Sequence, residues 1–192
     1  MATMISVITT DAAISPELLD KALKTAANSS FNRISVDGDT SVCDQAVILA
    51  NGMAGNDIID KEGPEYDAFV SALLEVSTEL SKMLAKDGEG ATKLIEIRVD
   101  NCRDRESARL ILNAIAKSPL VKTAIFGEDA NWGRIITAAG YSGAVFDPDK
   151  LDIFIGDLQV CKNGTGLLFD EAKAAEILKE DEIIISLDFK DG

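Results

Sequence analysis

The 192 residues are 46% hydrophobic and carry a formal net charge of -14, which is enough chain for one sizeable core or two small lobes. The acidic balance argues against nucleic acid and anionic membranes as partners, because both select a basic footprint. Histidine is absent altogether, which removes Ser-His and Cys-His nucleophile pairs, histidine-rich zinc sites and imidazole acid–base chemistry.

In chain order, "MISVIT" reads as a strand, and Ser15-Pro16 supplies a cap and a first-turn proline for a helix to about Asn28. "NRISVDGD" and "AVILANG" are strand candidates on either side of a polar stretch. Residues 64–86 form the longest helical pattern, with Phe69, Leu73, Val76, Leu80, Met83 and Leu84 in register. "KLIEIRVD" alternates like a strand, and "RESARLILNAIAKS" is a helix ending before Pro119. "VKTAIFG" reads as a strand, "NWGRIITAAG" as a short helix, and "LDIFIG" with "LQVC" as paired strands. "KNGTG" is a hairpin loop, since Asn-Gly accepts positive φ at low cost. "DEAKAAEIL" is a helix and "EIIISLDF" a last strand. The expected fold class is α/β, with layered, mixed and largely antiparallel sheets. It lacks the regular βαβ spacing and G-x-G-x-x-G turn of a dinucleotide fold.

No apolar run is long enough to span a bilayer, and no secretory signal pattern opens these residues. Cys43, Cys102 and Cys161 form no C-x-x-C pair. Their sparse, odd count points to buried thiols in a reducing cytoplasm.

With imidazole excluded, proton transfer falls to carboxylates, lysines, water or a terminal amine. Thr3 sits directly ahead of the first strand. A terminal threonine can use its own α-amino group, with a pKa of about 8, as base for its hydroxyl. That requires Met1 and Ala2 to be removed by a cut at Ala2-Thr3. Position alone favours reading Thr3 as an ordinary exposed residue. "SVDGDTSVCDQ" (residues 35–45) could bind a cation or order a polar turn, and the turn is favoured because calcium-loop spacing is missing. "DGEGATK" sets Glu89 between two glycines at a helix exit, where a carboxylate can accept hydrogen bonds from an ammonium group or simply be solvated. "GEDANWGRI" holds the sole tryptophan, read as a packing anchor, with Asp129 as cap for the next helix.

Together, "ATM-I-x-V-I-T-T-D-A-x-I", "FNRISVDGDTS…D…LANG", "DGEGATK" and "GED-x-NWGRI" resemble, in order, the β chain of the ornithine acetyltransferase (glutamate N-acetyltransferase) family of arginine biosynthesis. The resemblance covers essentially the whole chain. It implies a self-processing fold shared with a family of aminopeptidases and similar in logic to N-terminal nucleophile hydrolases. It implies autocatalytic cleavage at Ala2-Thr3 and Thr3 as catalytic nucleophile and substrate-binding residue. The reaction implied is ping-pong acetyl transfer from N2-acetyl-L-ornithine to L-glutamate through acetyl-threonine. It implies Glu89 as a substrate contact, for the ornithine amine. No cofactor or metal is implied, although some members use acetyl-CoA as co-substrate. The implied partner is the α chain of the same precursor in an α2β2 heterotetramer, located in the cytoplasm.

Residues 1–192 are thus expected to be one β chain, with two lobes at about 1–100 and 101–192. Val42, Cys43 and Ala130 depart from the residues common in the family. The family's C-terminal tail, which closes the substrate site, is expected to be missing here. The alternatives at this point are a self-cleaving amidase or aminopeptidase, or an inactive truncated subunit that needs the α chain.

Overall fold

The computed structural model describes residues 3–192, so the Ala2 half of the expected cleavage site lies outside the described residues. The chain divides into two units, Met1–Glu89 and Gly90–Gly192.

In the first unit, β1 (Ile5–Thr10) and β2 (Gln45–Ala50) pair in parallel, with Val7 beside Val47. Strand alternation turns Ile8 and Ser6 inward and Ile5 and Val7 outward. Two helices pack the inner face. Helix α1 (Pro16–Ser29) starts at Ser15, whose side chain accepts from the Leu18 N–H, and has Pro16 in its first turn. Helix α2 (Pro64–Lys86) is much longer. Met4, Ile8, Ala22, Ala26, Phe31, Tyr66 and Leu73 form this unit's buried cluster.

Two expectations fail here. "NRISVDGD" is not a strand. Phe31–Arg33 form a single 3-10 turn, followed by irregular chain to Asp44. The local competitors are visible: Asp37 accepts from the Asp39 N–H at 2.8 Å, Ser41 accepts from the Cys43 N–H at 3.1 Å, and Gly38 has φ of 89°. Such side-chain turns replace ladder hydrogen bonds. The buried stripe of α2 is also rotated from the expected one. Tyr66, Leu73, Ser77 and Ser81 face inward, whereas Val76 and Met83 are 48% and 65% exposed. Small serines permit close helix approach, a packing preference that hydrophobic periodicity does not register.

The second unit holds a five-stranded mixed sheet. Its strands are β3 (Leu94–Asp100), β4 (Asp152–Ile155), β5 (Leu158–Lys162), β6 (Thr165–Gly166) and β7 (Glu182–Asp188), in the order β3-β7-β4-β5-β6. β3 and β7 are parallel, and the remaining pairs are antiparallel. Ile183, Ile185 and Leu187 of interior strand β7 are buried with Ile153, Ile155, Ile111, Ile115 and Ile135. Helices α3 (Arg105–Lys117), α4 (Pro119–Phe126), α5 (Trp132–Gly140) and α6 (Glu171–Lys179) complete the unit.

Helix α4 replaces the expected strand "VKTAIFG". Ser118 caps it, accepting from the Val121 N–H, and Pro119 occupies the first turn. Val121, Ala124 and Ile125 are buried at helical spacing. The cap and the i, i+3, i+4 burial override the strand preference of Val, Thr and Ile. The Asn163-Gly164 turn has φ of 48° and 70°, as a type I′ hairpin demands. A Cβ at Gly164 would also lie 2.4 Å from the Pro148 carbonyl oxygen.

Candidate functional site

The parallel arrangement of the first unit decides which end holds the expected site residues. The chain leaves β1 and β2 at a common end. There the Asn51 N–H donates to Thr10 O, the Ala54 N–H to Asp11 O and the Ser15 N–H to Ile59 O. Both helices start from that end and run back. At 1.5 Å per residue, α2 is about 34 Å long and α1 about 21 Å, so α2 reaches further. Its last turns, through Leu80 and Leu84, share one apolar cluster with Met4. The Met4 carbonyl in turn accepts from the Gln45 N–H at 2.7 Å, where both strands begin.

Thr3 is exposed and adjoins buried Met4 at this end. Glu89 is exposed on the turn that follows α2. That turn is set by Asp87, whose N–H donates to the Met83 carbonyl at 3.0 Å, and by Gly90 at φ of 72°. Thr3 and Glu89, 86 positions apart in sequence, therefore belong to the same end of one unit. An open apolar depression of about 500 Å³ lies beside the turn, lined by Leu80, Met83, Leu84, Lys86 and Asp87. The sequence pattern placed Met83 in register with the apolar residues of the 64–86 helix. The available signal was length, since a 23-residue helix beside a 14-residue one must overhang.

The other blocks have structural roles or stand apart. Trp132 packs against Gly166, where a Cβ would meet its ring at 2.4 Å. Asn131, not Asp129, caps α5 by accepting from the Arg134 N–H at 3.2 Å. Asp129 instead accepts from the Asn131 amide at 3.0 Å and holds the cap in place. Lys93 of "DGEGATK" donates to the Leu178 carbonyl at 2.5 Å in the last turn of α6, a favourable place for a cation. Ala130 packs against the second unit's core.

Of the three cysteines, Cys161 is buried and Cys102 half-buried, but Cys43 is exposed beside fully exposed Val42. The expected burial of all three thiols is thus corrected at Cys43, because its segment forms turns rather than a strand. Among the described residues, no group of three acidic or thiol side chains is placed to hold a metal ion, and no helix is long and apolar enough to cross a membrane.

Every residue from 1 to 192 matches the model of the ArgJ family. The chain belongs to the ArgJ family. It is 54% identical to the arginine biosynthesis bifunctional protein ArgJ of Caldanaerobacter subterraneus over 100% of its own length and 49% of that protein. The same values hold against the protein of that name from Thermotoga neapolitana. The chain therefore spans about half the length of these relatives. The crystal structure of the ArgJ protein from Bacillus halodurans superposes with a TM-score of 0.95 at 44% identity, covering 99% of this chain and 90% of that one. The α/β fold with mixed sheets expected from the sequence is the ArgJ fold.

Proposed function

We propose that this chain is the nucleophile-bearing half of an acetyltransferase moving the acetyl group of N2-acetyl-L-ornithine to L-glutamate in arginine biosynthesis. The observation that carries the reading is the exposed threonine at the head of β1 in an ArgJ-family chain without histidine. Cleavage of the Ala2-Thr3 peptide bond gives Thr3 a free α-amino group. That amine takes the hydroxyl proton as Thr3 Oγ adds to the acetyl carbonyl of the donor. Collapse of the tetrahedral adduct breaks the amide bond, returns the proton to the departing ornithine amine and leaves an acetyl ester on Thr3. The glutamate amine then attacks the ester, and the Thr3 oxygen leaves and regains its proton.

Glu89 accepts hydrogen bonds from the ornithine side-chain ammonium in this scheme. The depression beside it offers an apolar wall for the methylene chain. The partner is the other half of the precursor, assembled as an α2β2 heterotetramer in the cytoplasm. Acetyl-CoA serves as an additional acetyl donor, with no resident cofactor.

The test is to express the full precursor, determine the mass of the mature fragment and add N-acetylornithine. A fragment beginning at Thr3 that gains one acetyl group, with cleavage and adduct both lost in Thr3→Ala, is the expected result. Release of free acetate without transfer to glutamate would replace the transferase with an amidase. Full acetyl exchange by this chain alone would overturn the requirement for the other half.

A further inference from the structure

We propose that Asn51, where the chain leaves β2, is a site of spontaneous covalent modification, its side chain closing onto the Gly52 backbone nitrogen to give a succinimide that opens to aspartate and isoaspartate. The inference is independent of the acetyl-transfer reading, since it needs neither a substrate nor a reaction at Thr3.

The chain contains two Asn-Gly pairs, Asn51-Gly52 and Asn163-Gly164. In both, the glycine leaves the attacking nitrogen unshielded by a side chain. Both glycines have positive φ, of 71° and 70°, and both asparagines are exposed. Sequence and exposure therefore predict equal reactivity. The hydrogen bonds and packing around the two pairs do not.

At the second pair the nitrogen is committed. The Gly164 N–H donates to the carbonyl of fully buried Leu151 at 2.8 Å. Asn163 is held at both ends: its N–H donates to Asp152 Oδ1 and its Oδ1 accepts from Lys190 Nζ, each at 2.8 Å. A ring has no room to form, since even a Cβ at Gly164 would lie 2.4 Å from the Pro148 carbonyl oxygen. At the first pair the Gly52 N–H has no acceptor among the described residues. A Cβ at Gly52 would meet nothing nearer than 3.9 Å. The Asn51 side chain is already folded back, its Oδ1 accepting from the Met53 N–H at 3.0 Å. The ring closed by that hydrogen bond contains the Gly52 nitrogen, so the amide carbon is held on the nitrogen's side of the chain. The same donor polarises the amide and stabilises the charge that develops on its oxygen.

Water is the only co-reactant. The Gly52 nitrogen gives up its proton and bonds to Asn51 Cγ, and the Cγ–Nδ2 bond breaks with release of ammonia. Water then adds to one of the two ring carbonyls. Breaking the new Cγ–N bond gives aspartate, and breaking the original peptide bond gives isoaspartate. The change falls where the Asn51 N–H donates to Thr10 O and the Ala54 N–H to Asp11 O. Isoaspartate adds one backbone atom at that point, and either product adds a negative charge.

The test incubates the purified full precursor at neutral and mildly alkaline pH and follows both pairs by peptide mapping and mass. An isoaspartyl carboxyl methyltransferase with labelled methyl donor serves as the probe for isoaspartate. Reaction at Asn163 must first free the Gly164 N–H and strip a buried carbonyl of its backbone donor, a cost worth at least about tenfold in rate. Asn51 should therefore convert at least about tenfold faster than Asn163 in the folded protein, and faster still as pH rises. In urea the two pairs should react at similar rates, which assigns the difference to the fold. Asn51→Gln should abolish methyl acceptance by the folded protein. Equal rates at the two pairs in the folded protein, or an unchanged Asn51, overturns the proposal. So does conversion to aspartate without isoaspartate, because direct hydrolysis of the amide then bypasses the Gly52 nitrogen.

Discussion

Replacing Gly166 with alanine tests whether Trp132 is a packing group rather than a ligand platform. A Cβ at this position would lie 2.4, 2.6 and 2.8 Å from Cζ2, Cε2 and Nε1 of the indole. Ordinary carbon contacts begin near 3.5 Å, so the ring or the short strand β6 must move by about 1 Å. The indole is rigid and packs against the second unit's core, with Ile153, Ile155 and Val160 in the same cluster. Rotamer adjustment cannot absorb the displacement cheaply. Overpacking of this kind costs about 1–3 kcal/mol, and the upper half of that range fits a clash with three ring atoms.

For a unit of roughly a hundred residues, each kcal/mol lowers the melting temperature by about 4–8 °C. At about 2 kcal/mol, Gly166→Ala should therefore lower the midpoint by about 8–16 °C. Trp132 is the sole tryptophan, so its fluorescence reports this unit without interference from the other. The emission maximum should shift as the ring is displaced. Trp132→Leu should remove much of the penalty, making the double substitution markedly less than additive. An unchanged midpoint together with unchanged emission would refute the packing role.

Two further substitutions probe buried polar groups. The Ser77 hydroxyl is fully buried in α2 and has no hydrogen-bond partner among the described residues. Ser77→Ala should leave stability unchanged or raise it by about 1 kcal/mol, and a clear loss in a urea melt would show that the hydroxyl is bonded. At Asp152, burial raises the carboxyl's proton affinity, but the Lys190 ammonium and the Asn163 N–H outweigh it and leave the pKa below the ordinary 3.8. The unfolded chain therefore binds this proton more readily. The stabilisation is fully present above about pH 4 and is lost as pH falls through the lower folded value. Asp152→Asn should cost about 1–3 kcal/mol at neutral pH and flatten the acid limb of the stability profile. An acid limb identical to that of the parent chain would contradict the assignment.

The elements most legible in the sequence were those where capping and periodicity agreed. Ser15-Pro16 began α1, and Asn163-Gly164 made the turn it was expected to make. "VKTAIFG" failed because its β-branched composition was weighed without the Ser118-Pro119 start signal immediately before it. "NRISVDGD" failed because two aspartates and a glycine offered local turns that apolar alternation could not outweigh. At the candidate site, the sequence singles out Thr3 and Glu89 one by one as candidates. Their placement at one end of one unit depended on the parallel pairing of β1 with β2 and on the excess length of α2. Pairing direction is a tertiary fact with no local signature.

The location of Thr3 bears on how Glu89 should act. Parallel α/β sheets ordinarily bind ligands at the carboxyl ends of their strands, where helix N-termini favour anions. The proposed nucleophile at the head of β1 would place the chemistry at the opposite end, where α2 presents its C-terminus and the partial negative charge of its terminal carbonyls. That end suits a cationic group, and Glu89 adds a full negative charge to it, offset in part by Lys86 in the last turn. In the proposed reaction the donor N-acetylornithine carries a side-chain ammonium, whereas the acceptor glutamate carries a carboxylate. Glu89→Gln should therefore discriminate between the two half-reactions. Loss of one charge-assisted hydrogen bond, worth about 1.5 kcal/mol, predicts about a tenfold rise in KM for N-acetylornithine. Deacylation by glutamate should be unchanged or faster, because a repelling charge has been removed. Equal losses in both half-reactions would show that Glu89 shapes the turn after α2 and does not read the charge of the substrate.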